Sequence, residues 1–306
     1  MGVVVGVDGG NSKTELVLAT TDGEVIALTR GPGTNSHGVG ADGAARVIRE
    51  LAGDATPELG VYYLCGADSA GDIADLEAEL AGIAARTIVD NDTLALLRAG
   101  SEASNAIAVV CGAGLNCVGR AGDALVRYPA LGWETGDRGG GEQLGRDAIF
   151  HAARAEDGRG GPTALVEAIR SHFAAASVEA VGAAFHYRRY PVSRLGEIAP
   201  LVIDAAGEGD EIARSLVERL AGEIVLLVQR AVADLGIDEA EVVLGGGLLQ
   251  DAERRSLAEL VTARLREGCR PVVLDAPPVL GAVLAALDEA GAGDEAKRRV
   301  REALRG

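Results

Sequence analysis

Three glycine-rich turns hold the residues of this sequence whose types and spacing could do chemistry. The first is VDGGNSKT at 7–14, where a run of valines breaks into Asp8, Gly9 and Gly10. The second is CGAGLNC at 111–117 and the third is LGGGLLQ at 244–250. Turns of this kind present successive backbone N–H groups with no side chain in the way, and such groups can surround phosphate oxygens. A lone Gly-Gly between apolar runs is equally an ordinary hairpin turn. Three in this order, with Asp8 at the end of the first strand, favour nucleotide binding over three unrelated turns. The Walker pattern with GK[ST] is absent, and no GxGxxG opens a helix after the first strand, so a P-loop enzyme and a Rossmann dehydrogenase are poorly supported.

The elements that must position these turns follow a pattern given twice. Residues 3–8, 14–20 and 24–29 read as three strands, the last two joined at Asp22-Gly23. Helical periodicity follows over 40–52, a strand over 61–65, a helix over 71–84, a short strand over 86–90 and a helix over 93–99. The order then restarts with strands at 106–112, 116–121 and 124–129, the last pair turning at Gly122-Asp123. Mainly helices come next, with later strands at 241–246 and 271–275. Three neighbouring antiparallel strands followed by alternating helices and strands form a ribonuclease-H-like α/β plan. Two such units in tandem predict an N-terminal domain over 1–105, joined by a charged amphipathic C-terminal helix at 292–306. A second domain with helical additions is predicted over 106–291, with an interdomain cleft between the two. DGRGGP at 157–162 reads as a surface loop rather than a linker.

Composition narrows the classes. At 306 residues and 31.2 kDa with 48% apolar residues, the chain can bury a large core and form two domains. Charge interrupts every apolar run well before a membrane-spanning length, and the N-terminus lacks a signal-peptide pattern, so a cytoplasmic protein with no membrane contact is expected. A net charge of −17 opposes binding to nucleic acid and anionic lipid. Four cysteines, Cys65, Cys111, Cys117 and Cys269, follow no metal-ligand spacing and read as reduced thiols, with Cys65 placed in the core. Three Phe and one Trp leave the core to Ala, Val, Leu and Ile.

Taken in order, DGGNSKT, GPGTN (31–35), VDNDTLALLRAG (89–100), CGAGLNC, LGWETGDRGGG (131–141) and LGGGLLQ make the chain resemble the N-acetylglucosamine kinase and BadF/BadG/BcrA/BcrD-type ATPase family. That family belongs to the actin-like sugar kinase superfamily, and the resemblance spans about residues 3–290. It implies two actin-like domains, ATP and Mg²⁺, phosphoryl transfer to an amino sugar, N-acetylglucosamine or glucosamine at O6, and a homodimer. Asp8 matches the family's Mg²⁺ position, held through water. Gly9, Gly10, Asn11, Ser12 and Lys13 match its first phosphate loop, although Lys13 is equally a solvated strand residue. Gly112, Ala113 and Gly114 match the opposing loop, where Ala113 and Leu115 replace the hydroxyl residues of the common G-T-G-S.

Asp92 matches the catalytic aspartate that accepts the sugar hydroxyl proton. Aspartate at a helix start is also a preferred N-cap, and both roles stay open. Asn35, Asn116, Gly132 and Asp137 match the substrate pocket, with Asn35 also readable as a turn residue. Trp133 could stack on a sugar face or pack in a core. The stretch up to Asp137 is short, and RGGG replaces the family's E-G-S. Gly245, Gly246 and Gly247 match the adenosine side, and Gly281 could support the same pocket or serve helix packing.

Two other classes are compatible with the same resemblance. One is an ATPase that activates a 2-hydroxyacyl-CoA dehydratase through an iron–sulfur cluster shared by two subunits. The other is a non-catalytic actin-like regulator, which would keep Asp8 and the glycine turns but have no use for Asp92.

Overall fold

The structure is a computed structural model describing residues 2–304. Its chain divides into two compact units, one formed by Met1–Ala108 with Leu274–Gly306 and the other by Val109–Val273. In chain order the first part contains β1 (Val3–Gly9), β2 (Lys13–Thr20), β3 (Val25–Pro32), α1 (Ser36–Ala52), β4 (Leu59–Leu64), α2 (Ala70–Leu80), β5 (Arg86–Asn91) and α3 (Thr93–Gly100). The second sheet and its helices follow: β6 (Asn105–Cys111), β7 (Leu115–Ala121), β8 (Ala124–Arg127), α4 (Gly140–Glu156), α5 (Leu165–Phe173), α6 (Val178–His186), α7 (Ala199–Gly207), α8 (Glu211–Leu235), β9 (Ala240–Gly245), α9 (Gly247–Gln250), α10 (Ser256–Arg264) and β10 (Cys269–Val273). The chain then returns to the first unit with α11 (Val279–Glu289) and α12 (Asp294–Leu304).

Both sheets have five strands in equivalent order, β3-β2-β1-β4-β5 and β8-β7-β6-β9-β10. In the first, β1 pairs antiparallel with β2, from Val3 opposite Thr20 to Gly9 opposite Thr14. It pairs parallel with β4, and β4 pairs parallel with β5, so Gly9, Leu64 and Asn91 end in register at the carboxyl edge of three parallel strands. The duplicated α/β architecture of the two sequence halves is therefore present. Strand β1 is rich in valine because both of its faces are covered, whereas β3 at the sheet edge alternates between half-buried and exposed residues. Val5 and Val7 join Leu16, Ile48, Tyr62, Leu64, Leu76 and Leu80 in a core under α1 and α2.

The opposite face of β1 receives α11. A Cβ built on Gly6 would lie 2.2 Å from the Val283 backbone nitrogen, and one on Gly281 would lie 1.8 Å from the Ala95 carbonyl oxygen. These two glycines let α11 sit directly on the sheet and on α3. Helix α11 thus belongs to the first unit, whereas the sequence division at 291 gives it to the second. Contacts made by bare backbone leave no periodic signal from which that membership could be read.

In the second unit the 25-residue α8 packs on β7 and β8 and buries Leu216, Leu220, Ile224 and Val228 along its length. Among the described residues, no helix is long and apolar enough to cross a membrane.

Candidate functional site

The carboxyl edge of β1, β4 and β5 assembles one cluster in the first unit. Gly10 N–H donates to Lys13 O at 3.0 Å, closing the turn between β1 and β2, and Thr34 N–H donates to Gly10 O at 3.0 Å. Gly33 lies so close that a Cβ there would meet Asn11 O at 2.1 Å, which seats the loop after β3 on the first turn. Asn35 then donates from Nδ2 to Asn11 Oδ1 at 2.5 Å, while its own Oδ1 accepts His37 N–H and caps α1. Asn35 is thus a helix cap and also a partner of the predicted phosphate loop. The Cys65 thiol faces Asn11 Oδ1 at 3.8 Å. Cys65 is half-buried at a strand end rather than in the core, because β4 stops at Leu64 and Cys65 N–H donates to Gly9 O.

The residues Asp90, Asn91 and Asp92 divide their work in a way the sequence leaves open. Asn91 Oδ1 accepts Thr93 N–H at 3.0 Å and the Thr93 hydroxyl at 2.6 Å, so it is Asn91 that meets the first N–H of α3. Asp92 sits at the N-cap position and makes no side-chain capping bond. The side chain that caps α3 is therefore Asn91 rather than Asp92. Burial and then the Asp68 carboxylate raise the pKa of Asp92 to about 7, with the nearby backbone N–H groups of Thr93 and Asp92 pulling partly back.

Asp8 behaves similarly. Burial, reinforced by the carboxylates of Asp92 and Glu15, pushes it up to about 8, against the pull of the Lys13 ammonium. Lys13 itself is exposed and pairs with Glu15 at 3.0 Å, so it is both a solvated strand residue and a positive charge beside Asp8. Both acids are raised first by burial and then by neighbouring carboxylates, with Lys13 offsetting only part of the charge at Asp8, a setting that fits a bound divalent ion. Mg²⁺ takes one or two carboxylates and keeps most of its waters, and Asp8 is the carboxylate here that could serve as such a ligand. Among the described residues no cluster of three or more His, Cys, Asp or Glu forms a closed metal cage.

In the second unit, the turn at Gly112–Gly114 rests on the start of α4. Gly141 N–H donates to Gly112 O at 2.7 Å and Glu142 N–H to Ala113 O at 3.0 Å. Gly140, at φ 79°, approaches so closely that a Cβ would meet Ala113 O at 2.5 Å, which explains the RGGG run. Gly246, at φ 88°, lies against the Cys111 backbone, 2.6 Å from a would-be Cβ. Gly112–Gly114 and Gly245–Gly247 are thus brought together.

Glycines needed by the fold separate from glycines with room around them. A Cβ on Gly9 would strike Thr34 Oγ1 at 2.2 Å, and Gly246 and Gly281 are equally closed. At Gly112, Gly114 and Gly247 a Cβ would meet nothing within 4 Å, and at Gly10 only ordinary contact. Packing explains the first group without a ligand. The second group keeps backbone open where a ligand can approach.

The remaining predicted residues are less converged. Asn116 bonds its neighbour, Oδ1 accepting Cys117 N–H at 2.7 Å. Asp137 N–H donates to Gly132 O at 3.0 Å, and its carboxylate accepts the Thr135 hydroxyl, so Gly132 and Asp137 share one tight loop. Trp133 is 72% exposed beside the Arg138 guanidinium, so it is not a packing tryptophan. Ser12 is exposed on the first turn. Sequence reasoning missed Asp68, which accepts Asn91 Nδ2–H at 2.7 Å. Its position just past a parallel strand's carboxyl end, where α/β folds bind ligands, was the available signal.

Two ribonuclease-H-like sheets with open glycine turns at their strand ends, and with a pair of proton-retaining aspartates in the first unit, define an actin-like α/β protein. The chain belongs to the BadF/BadG/BcrA/BcrD ATPase family, whose sequence profile matches residues 5–286. An N-acetyl-D-glucosamine kinase of Dictyostelium discoideum is 26% identical, over 94% of this chain and 98% of that protein. An N-acetylmuramic acid/N-acetylglucosamine kinase of Clostridium acetobutylicum is 29% identical, over 82% of this chain and 87% of that protein. Among solved structures, a Chromobacterium violaceum protein assigned as an N-acetylglucosamine kinase superposes with a TM-score of 0.72 at 23% identity, covering 93% of this chain and 98% of its own. A ROK family glucokinase from Streptomyces griseus superposes at 0.53 with 17% identity, over 95% and 100%.

Proposed function

We propose that this protein is an ATP-dependent sugar kinase that phosphorylates an amino sugar, N-acetylglucosamine or glucosamine, at O6. The kinases among its relatives support the reaction class. The observation that carries the reading is Asp92, a carboxylate with raised proton affinity that makes no side-chain capping bond to the helix it precedes. A general base works best with a pKa near the operating pH, and burial with Asp68 places Asp92 there.

In the reaction, the sugar hydroxyl oxygen forms a bond to the γ-phosphorus, the bond from that phosphorus to the β–γ bridging oxygen breaks, and ADP leaves. Asp92 accepts the hydroxyl proton. Asp8 holds Mg²⁺, which when bound neutralises phosphate charge. Around Gly10 and Gly112, whose own N–H groups close the two turns on Lys13 O and Gly114 O, the backbone of Asn11 and Ser12 and of Ala113 and Gly114 donates N–H groups to phosphate oxygens. Lys13 adds positive charge. Gly245, Gly246 and Gly247 give room to the adenosine, and Asn35, Asn116, Gly132 and Asp137 hold the sugar. The family resemblance also extends to a cytoplasmic homodimer.

A dehydratase activator needs thiolates at a surface shared by two subunits. Cys111 and Cys117 are 0% and 1% exposed inside strands, which disfavours that reading. A panel of hexoses and hexosamines with ATP and Mg²⁺, followed by coupled ADP release, tests the proposal. N-acetylglucosamine or glucosamine should give the highest kcat/KM, and phosphate should be found on O6. ADP release independent of any sugar would overturn it.

A further inference from the structure

We infer that Asp68 is a positioning residue for the transfer step, holding Asn91 on the start of α3 so that Asp92 stays free of it. The inference rests on the reading of Asp92 as the base. Asn91 is 5% exposed, and its amide serves two partners at once. Its Oδ1 takes the Thr93 N–H and hydroxyl, and its Nδ2 donates to Asp68 Oδ1 at 2.7 Å. The Asp68 bond fixes which way the amide faces, because turning it over would set Nδ2 against the Thr93 N–H, donor against donor.

A helix start leaves backbone N–H groups that seek an acceptor. With Asn91 in place, the Thr93 N–H has its acceptor and Ala95 N–H bonds the Asp92 backbone carbonyl, so the Asp92 side chain makes no capping bond. With Asn91 released, the next acceptor in the chain is Asp92 itself, already at the N-cap position of a residue type that caps well. The base would then turn onto its own helix. Asp68 prevents this from the segment that follows β4.

Its own surroundings hold Asp68 in place. Asp72 and Ser69 form a reciprocal capping box that fixes the start of α2, with Ser69 N–H donating to Asp72 Oδ2 at 2.9 Å. His37 lies between the two acids, 3.9 Å from Asp68 Oδ2 and 3.7 Å from Asp72 Oδ1. The ionisable groups that act electrostatically with Asp92 are Asp8 on β1 together with Cys65 and Asp68 after β4.

The test is a mutant cycle assayed by coupled ADP release with ATP, Mg²⁺ and N-acetylglucosamine, well below the lowest melting temperature of the set. Asp68→Ala should lower kcat by about 10–100-fold, the scale of a misplaced catalytic group, with both KM values moving less than about threefold. Asp68→Asn keeps a carbonyl acceptor for Nδ2 and should recover to within about threefold of the parent. The double variant Asp68→Ala/Asn91→Ala should be no slower than Asn91→Ala alone, because both changes cut one chain of contacts. Losses that multiply, or an Asp68→Asn variant as slow as Asp68→Ala, would overturn the inference. Asp92→Asn separates it from the reading beneath. Full activity there ends the base assignment, whereas an inactive Asp92→Asn beside a fully active Asp68→Ala ends only the role of Asp68.

Discussion

Asp8 and Glu15 stand directly opposite each other on the antiparallel strands β1 and β2, so their carboxylates project from the same face of the sheet. Glu15 is fully buried and is held between Lys13 at 3.0 Å and Arg30 at 2.7 Å. Both cations pair with Glu15, while Asp8 feels the negative charges of Asp92 and Glu15 with only partial relief from Lys13.

This arrangement predicts how stability responds to pH. Folding raises Asp8 from 3.8 to about 8, so the native state holds that proton more tightly than the unfolded chain. The stabilisation is complete below the unfolded value and is lost as pH rises toward 8. Asp8→Asn should remove the loss, making the ligand-free protein more stable than the parent at pH 8 by roughly 1–3 kcal/mol, with little difference at pH 4. Urea titrations at both pH values measure it. The same variant should lose the stabilisation that Mg²⁺ and ATP give the parent.

For Asp92, the expected pH–rate profile rises through about 7 and levels off above it, since the base must be ionised to accept a proton. Asp92→Asn should lower kcat by about 10²–10⁴-fold. Affinity for ATP, measured by calorimetry, should stay nearly constant.

The two groups of glycines should separate in one experiment. Gly281→Ala forces a methyl group into the Ala95 carbonyl and should cost about 1–3 kcal/mol or more. Gly112→Ala meets open space, so its stability should stay within about 0.5 kcal/mol of the parent. Its KM for ATP should rise, because the added methyl group occupies the approach to the turn. Thermal melts and initial rates decide both.

Asn35→Ala should act on fold and function together. Losing the cap of α1 should cost about 0.5–2 kcal/mol. Because Asn35 is proposed to hold the sugar and reaches the phosphate loop only through Asn11, its loss should raise the KM for the sugar more than that for ATP. Equal changes in the two KM values would point to a cap alone.

The architecture was legible because strand periodicity and glycine turns recur in the same order in both halves. Asp8 and Asp92 were legible because each sits where a strand hands over to a turn or a helix. The allocation of roles within Asp90, Asn91 and Asp92 was not. All three types can cap, and the choice is made by Asp68, more than twenty positions earlier in the chain. Gly281 was ambiguous for a related reason, since a bare Cα serves a helix crossing and a ligand equally well until its neighbour is known. Trp133 could be packed or free, and only tertiary structure leaves it outside a core.

The first unit is sewn from both ends of the chain, since α11 lies on β1 through Gly6 and the whole of Val109–Val273 intervenes. A ribosome therefore releases β1 long before the helix that covers one of its faces. During that interval the valine strand lacks its cover, while Val109–Val273, contiguous in sequence, can collapse as soon as it emerges. Maturation of the nascent protein would run from the middle outward, and a polypeptide halted before residue 274 would expose the apolar face on which aggregation begins.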